Sequence, residues 1–513
     1  MIAETSTEVG YVDCRLVIAG AGGGKTTGMI NEVVEKLSEL QPQRFMVVIT
    51  YTNAATEDIR MKLEKQIRIP QNLFIGTIHG FLNRFILSPY SRLLGYTPFE
   101  TVFIDRVNLG YKCLNQYAEK HQKIKLSDSL LKKGVVCHDK TMEICHKITQ
   151  DKIMRRAISN RIQMIFIDEY QDSTLIQHEI FEAILDEGNT GFYFVGDPEQ
   201  YIFAFRYGNS LIKKESKPNC FEEIPIMRLQ QKVKPEKICC WPNNKRSNQA
   251  IVDFLNKFNT QMVQKPFSAM LKNNNTKFID LTDLRGIIDG FNRCCKAAEF
   301  SETLPKRFFL SYEGNTFKSV AWEFNLSHIS NDSSARITKP LMSAVNLILG
   351  TMGKSGKELC GELGITELDL RKMGMKLLKK INANESLSSY DFKGFLKTIL
   401  NMPTSNECVC SQSFEKLAKT FSKTKGTGRD LYSTIHKAKG LEADAVLVVA
   451  ERASKLRKWL ETDRPKRFSD KIDECRIGFV GFSRARELLC VACLEDVGDL
   501  HIKLRELEVE IFR

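Results

Sequence analysis

The sequence predicts an α/β protein built from two parallel-sheet cores, each interrupted by a helical insertion. Three observations carry this reading. Short aliphatic runs followed by helix-patterned stretches recur early, at 16–18, 45–49, 73–75, 164–167 and 192–195. The same rhythm returns late, at 307–310, 445–449 and 488–491. Between these signals, 91–156 and 331–423 are helix-patterned and break the alternation. Strands that alternate with helices form parallel sheets covered on both faces. A chain of 513 residues is also too long for one hydrophobic core. The expected first core is 1–90 with 157–235, and 91–156 is its basic insertion. The second core is 236–330 with 424–513, and 331–423 is a reduced insertion.

Composition narrows the class of function. Hydrophobic residues make up 42% and charged residues 27%, as in soluble globular proteins. No apolar run approaches the roughly 20 residues that span a bilayer. The start, Met1-Ile-Ala-Glu-Thr5, lacks a basic segment and an apolar core, so a cytoplasmic, membrane-free protein is expected. Fifteen scattered cysteines read as core thiols of a reducing compartment. Cys490 and Cys493 on one strand would point to opposite faces. Cys137-His138 and Cys145-His146 form the alternative, a zinc site, but their spacing fits no common finger. A net charge of +13 points to a polyanionic partner. The basic residues concentrate at 120–161 and 455–471, runs that equally suit a solvated face.

The first strand leads into Ala19-Gly-Ala-Gly-Gly-Gly-Lys-Thr-Thr27, then a helical pattern to Leu40. Glycines let successive N–H groups of Ala21, Gly22, Gly23, Gly24, Lys25, Thr26 and Thr27 curl around phosphate oxygens at a helix N-terminus. Lys25 would reach the outer phosphates and the Thr26 hydroxyl would ligate Mg²⁺. Ala19 stands where the strict pattern has a turn glycine. An ordinary glycine-rich βα turn is the alternative. The run 164–167 ends in Asp168-Glu169, two carboxylates at the C-terminal edge of a strand, where open α/β sheets bind ligands. Asp168 suits Mg²⁺, and Glu169 suits orienting and deprotonating a water. A helix cap is the alternative for an acidic pair.

In their order, these and further motifs resemble superfamily 1 helicases of the UvrD/Rep/PcrA group. Ile49-Thr-Tyr-Thr-Asn-Ala-Ala55 resembles motif Ia and Gly76-Thr-Ile-His-Gly-Phe81 motif Ib. Asp168-Glu-Tyr-Gln-Asp172 is similar to motif II, and Val195-Gly-Asp-Pro-Glu-Gln200, continuing to Phe205-Arg206, to motif III. Asn243-Asn-Lys-Arg-Ser247 is a weak motif IV. Thr434-Ile-His-Lys-Ala-Lys-Gly-Leu-Glu442 and Arg476-Ile-Gly-Phe-Val-Gly-Phe-Ser-Arg-Ala485 match motifs V and VI. The resemblance implies two RecA-like P-loop domains that hydrolyse ATP with Mg²⁺ in the cleft between them. It implies that Gln200 senses the terminal phosphate and that Arg246 and Arg484 act as arginine fingers. Gly440 and Glu442 would line the cleft near the sugar. Single-stranded or tailed DNA would meet Thr50, Tyr51, Thr52, Asn53, His79, Phe81, Phe205 and His436, with Tyr51 and Phe205 as stacking platforms. Core packing is the alternative for each aromatic.

Departures from the group shape the expected function. No Gln precedes Gln41, so the residue that reads adenine upstream of the loop is missing. Lys245 stands where the group has a base-stacking tyrosine. Both losses imply weak base discrimination. The reduced second insertion bears on processive unwinding rather than on ATP hydrolysis. This compact form, with Phe74-Ile-Gly-Thr77, the wording at 165–173 and that at 194–198, resembles the helicase-like subunits of Gabija anti-phage systems. Those subunits work beside an OLD-family nuclease with a Toprim site, so the resemblance implies such a partner. The alternatives are a free-standing 3′-to-5′ repair helicase and a DNA-sensing ATPase that regulates a partner nuclease without unwinding.

Overall fold

The computed structural model describes residues 14–95, 102–104, 106–107, 109, 113–212, 217–266, 273–329, 340–352, 354–383, 429–468 and 473–513. Six parallel strands form the first sheet, in the order Leu73–Thr77, Phe45–Thr50, Ile162–Ile167, Gly191–Gly196, Cys14–Ala19 and Ile238–Trp241. Seven parallel strands form the second, in the order Ser327–His328, Asp430–Thr434, Arg307–Ser311, Ala443–Ala450, Ala485–Cys493, Lys277–Ile279 and Glu510–Phe512. The fold is therefore α/β with two parallel-sheet cores.

Period-two alternation explains why both sheets are covered twice. Leu16, Ile18, Val47, Ile49, Ile165 and Ile167 pack into one apolar cluster, while Val17, Ala19, Met46, Val48 and Phe166 pack into another. These runs are continuous in apolar character because both faces are buried. In the second core Cys493 joins Val446 and Val448, whereas Cys490 joins Leu447 and Val449 on the other face. The two thiols do point apart.

The strand Ile238–Trp241 pairs with Cys14–Ala19 at the edge of the first sheet, although it lies past residue 235, where the first core was expected to end. The 91–156 segment holds the helices Gln116–Lys132 and His138–Gln150, with a short parallel pair, Val102–Ile104 and Val135–Cys137. The described part of 331–423 is helical, at Pro340–Met352, Gly356–Leu363 and Glu367–Ala383. These helices do not form a separate core. Ala344, Ile348, Leu377 and Ile381 share one apolar cluster with Ile104, Leu130, Val135 and Cys137. The two insertions are thus joined through side-chain packing.

Several cations of the basic runs serve the fold. Lys140 is buried between Asp128 and Glu143, at 2.7 and 2.8 Å. Arg155 pairs with Glu187 at 2.7 Å. Cys145 is buried with its Sγ 3.7 Å from the Leu82 carbonyl, His146 lies 2.8 Å from Glu179, and His138 stacks on His79. These partners are those of packed side chains. Among the described residues no helix is long and apolar enough to cross a membrane.

Candidate nucleotide cleft and nucleic-acid track

The glycine loop leaves the first strand at Ala19 and closes with the Gly23 N–H donating to the Gly20 carbonyl at 3.0 Å. Gly22 and Gly24 have φ of +72° and +74°, a conformation that favours glycine. The helix Lys25–Leu37 then begins with no side-chain cap and no acidic residue in its first turn. No side chain caps its first N–H groups, which stand at the end where the helix dipole favours anions. Lys25 is buried, with its Nζ 3.4 Å from the Ala19 carbonyl.

Across the loop stand the paired carboxylates. Thr26 Oγ1 donates to Asp168 Oδ2 at 2.7 Å. Burial, reinforced by the charge of Glu169, raises the pKa of Asp168. Burial would raise Glu169 too, but Lys25, Lys439 and a hydrogen bond from Gln171 outweigh it and hold that carboxyl low. One proton on the pair would therefore sit on Asp168. Glu169 adopts φ +54°, left-handed strain typical of functional positions. A hydroxyl and a buried carboxylate beside a phosphate loop are hard oxygen donors. They fit Mg²⁺ held mostly by water and phosphate, and its charge would relieve the burial of Asp168.

The first core meets the second through motif III. Gln171 donates to Glu169 and accepts from the Asp197 N–H at 2.9 Å. Gln200 donates to Asp197 at 2.6 Å, and its Oε1 accepts from Arg484 Nη2 at 3.0 Å. Burial draws the Arg484 pKa down to about 9, still well above neutrality. Arg246 donates to Glu442 at 2.7 Å and to the Ser483 carbonyl at 2.9 Å. A Cβ added to Gly22 would lie 2.8 Å from Arg246 Cβ, which places Arg246 directly over the phosphate loop. Gly440, at φ +82°, turns the chain two residues before Glu442. The catalytic and nucleotide residues expected from sequence therefore gather in one cleft. It lies between the C-terminal strand edge of the first sheet and segments that lead into strands of the second.

The expected DNA residues are placed less uniformly. Phe205 is exposed and meets His436 edge-on at 5.5 Å, so this aromatic pair spans both cores. Burial keeps the His436 pKa below its ordinary value. Thr52 caps the following helix through a hydrogen bond from Ala55 N, and both Thr52 and Asn53 are exposed. The Tyr51 ring is half-buried and its hydroxyl is engaged with Ser173. Thr50 is buried, and His79 stacks on His138 at 3.7 Å. Phe81 departs from the expectation: its ring is fully buried between Phe85 and Phe181 and serves the core. The short helix Ile78–Phe81, which lies within motif Ib, turns this face inward.

Sequence reasoning passed over several residues of the cleft. Lys439, inside motif V, donates to Asp172 at 2.6 Å and to the Gln200 carbonyl at 2.8 Å, with both charged side chains buried. Both lay within the quoted motifs, so position in a motif was the available signal. Phe203 and Tyr312 extend the aromatic surface around His436, and no pattern marked Tyr312. Glu199 is fully buried between Arg467, at 2.7 Å, and Arg476, at 3.4 Å, which ties the first core to the second. The Glu199→Ala protein should lose roughly 3–5 kcal/mol of stability, because two buried guanidinium groups lose their counter-charge. Urea denaturation measures this. A loss below about 1 kcal/mol would show that the latch contributes little.

Comparison with known proteins agrees with this geometry. A family model described as an AAA domain matches residues 7–206. The Gabija protein GajB of Bacillus cereus (strain VD045) is 31% identical over 199 residues, covering 37% of this chain and 38% of that protein. An ATP-dependent DNA helicase Rep of Buchnera aphidicola subsp. Schizaphis graminum is 24% identical, covering 42% and 39%. A probable DNA helicase of Mycoplasma pneumoniae is 24% identical, covering 50% and 55%. The chain thus spans from under two fifths to about half the length of these relatives. With its motifs in order around a cleft between two parallel-sheet cores, the chain resembles superfamily 1 helicases and, among the relatives above, GajB.

Proposed function

We propose that this chain is a DNA-dependent ATPase of helicase type, which couples ATP hydrolysis to binding or translocation on single-stranded DNA. One observation carries the reading: Gln200 of the first core and Arg484 of the second are hydrogen-bonded beside the phosphate loop. Lys25 and the loop N–H groups would bind the phosphates. Glu169, held ionised, would accept a hydrogen bond from the attacking water and take its proton. Arg246 and Arg484 would stabilise charge on the terminal phosphate. Mg²⁺ held near Thr26 and Asp168 would neutralise phosphate charge. With Lys245 in motif IV, the site should accept several nucleoside triphosphates.

The cleft is wired to the track. Tyr51 contacts Ser173, beside Asp172, which pairs with Lys439, and Lys439 also holds Gln200. Closure of the cores around ATP would move the Phe205–His436 pair, because each core supplies one ring. Replacing Phe205 with alanine should weaken binding to an oligo(dT) about tenfold, the loss of one stacking platform. Fluorescence anisotropy reads this, and an unchanged affinity would remove Phe205 from the track.

Likeness to GajB supports work within an anti-phage complex beside an OLD-family nuclease. Co-expression with such a nuclease should give one co-eluting complex, and separate elution would count against that role. The shared apolar core of the two insertions favours a second reading, a DNA-sensing ATPase that signals to a partner without unwinding. Arms that swing to part a duplex would have to break that core. Unwinding of long 3′-tailed duplexes by the protein alone would reject this second reading.

A further inference from the structure

The strand that ends at Gly196 belongs to the first sheet, but the second core holds much of the segment that follows it. Glu199 lies between Arg467 Nη2, at 2.7 Å, and Arg476 Nε, at 3.4 Å, with all three side chains fully buried. The Thr260 N–H donates to the same carboxylate at 3.2 Å, and Arg476 Nη1 donates to the Arg467 carbonyl at 2.9 Å. Burial would raise the pKa of Glu199, but Arg476, Arg467 and Thr260 outweigh it and hold the carboxyl low. Ile202 is fully buried in the apolar cluster of the second core that includes Ile435 and Phe479, and its backbone bonds the His436 ring. The exchange runs both ways. Phe468 of the second core packs against the apolar cluster of the first and meets Phe221 edge-on at 4.8 Å. The Arg476 guanidinium lies 3.6 Å over the same Phe221 ring.

Parting this joint would leave a carboxylate and two guanidinium groups without counter-charge in the interior. That is far costlier than exchanging neutral hydrogen bonds for water. Neutral bonds are what the second core makes at the phosphate loop: Lys245 N–H to the Gly22 carbonyl at 2.8 Å, and Gln264 Nε2 to the Ala21 carbonyl at 2.9 Å. A cleft that opens for nucleotide therefore releases the loop and keeps the joint, and rotation about the joint turns Phe205 against His436. Gln200 stands inside the joint, between Glu199 and Ile202 in sequence. Its carbonyl accepts from Lys439 and its amide oxygen from Arg484. Another buried pair across the cores, Asp172 with Lys439, lies at this same end.

We propose that Glu199, with Arg467 and Arg476, is a positioning residue that fixes Gln200 to the second core, so that Gln200 and Arg484 act on the terminal phosphate as one unit. This rests on the nucleotide reading above and adds to it which core carries the sensor.

Steady-state hydrolysis by the full chain, with equilibrium binding of a non-hydrolysable ATP analogue, tests the proposal through Gln200. Glu199→Gln keeps the size of the side chain and loosens the joint. It should lower kcat about 10²-fold, the order expected for a displacement of roughly 1 Å, while analogue binding changes by less than about threefold. Added to Gln200→Ala, it should lower kcat no further, because its effect passes through that residue. Phe468→Ala strands no buried charge, and so serves where Glu199→Gln does not fold. It should lower kcat about tenfold, again with no added effect on Gln200→Ala. Losses that multiply in the double variants, or an unchanged kcat in the folded single variants, would overturn the role of the joint. So would a loss of analogue binding as large as the loss of rate. If Gln200→Ala itself hydrolyses ATP at the parent rate, the nucleotide reading of the cleft fails and this inference with it.

Discussion

If the chain hydrolyses ATP as proposed, replacing Arg484 with alanine should lower kcat by about 10³, with KM changed by no more than about threefold. The reason lies in what Arg484 already touches. Its Nη2 reaches Gln200 of the first core, its Nε donates to the Val480 carbonyl at 2.9 Å, and Ser483 holds it as well. A guanidinium fixed by so many partners needs little reorganisation when negative charge builds on a terminal phosphate, and preorganisation is what makes such a donor effective. Lysine should not rescue the variant, because a point charge on a flexible stem cannot hold Gln200 and phosphate together. Steady-state kinetics at saturating ATP and Mg²⁺ measure the effect. A fall of less than about tenfold would place Arg484 outside the transition state.

The Glu169→Gln protein should bind ATP like the parent and hydrolyse it about 10²–10⁴ times more slowly, the range of a lost general base. Glutamine keeps the size and one hydrogen-bond acceptor but gives up the charge. In the parent that charge is upheld by Lys25, Lys439 and Gln171 against burial. The carboxylate thus remains ionised at neutral pH next to Asp168, whose own pKa rises. Two acids with opposite shifts in one cleft are the arrangement in which one carboxylate stays free to orient water. Single-turnover hydrolysis separates the chemical step from binding. If Glu169→Gln also loses nucleotide affinity to a similar degree, the residue supports the fold of the loop instead.

Much of the molecule was legible in its sequence because both cores use strands buried on two faces. Aliphatic runs such as 45–49 and 445–449 mark such strands without ambiguity, and the structure extends them by only one or two residues at an end. Short or mixed strands left no such mark. Ile238–Trp241 carries two cysteines and joins the first sheet from beyond the expected core, and Asp430–Thr434 is polar at both ends. Nor could local pattern reveal that two segments some 200 residues apart share one apolar cluster. That contact depends on how the two cores face each other.

The cleft was legible where a motif fixes chemistry, as at Lys25, Thr26, Asp168 and Gln200. It was not legible where geometry alone decides. Gln264 lies in no motif, yet it touches the loop because the short parallel pair of 243–244 and 265–266 carries it there. Phe81 shows the opposite case. Its motif suggested a DNA contact, but the ring turns into the core because Phe85 and Phe181 complete a stack there.

The most direct test of the account is steady-state ATP hydrolysis by the parent and by Lys25→Ala, each with and without oligo(dT). Lys25 is buried at the loop, with its Nζ 3.4 Å from the Ala19 carbonyl. The account predicts that DNA raises the parent rate at least about tenfold and that Lys25→Ala falls to the background of the assay in both conditions. Hydrolysis by Lys25→Ala at the parent rate would contradict the assignment of the loop. A parent rate indifferent to DNA would contradict the coupling of cleft to track.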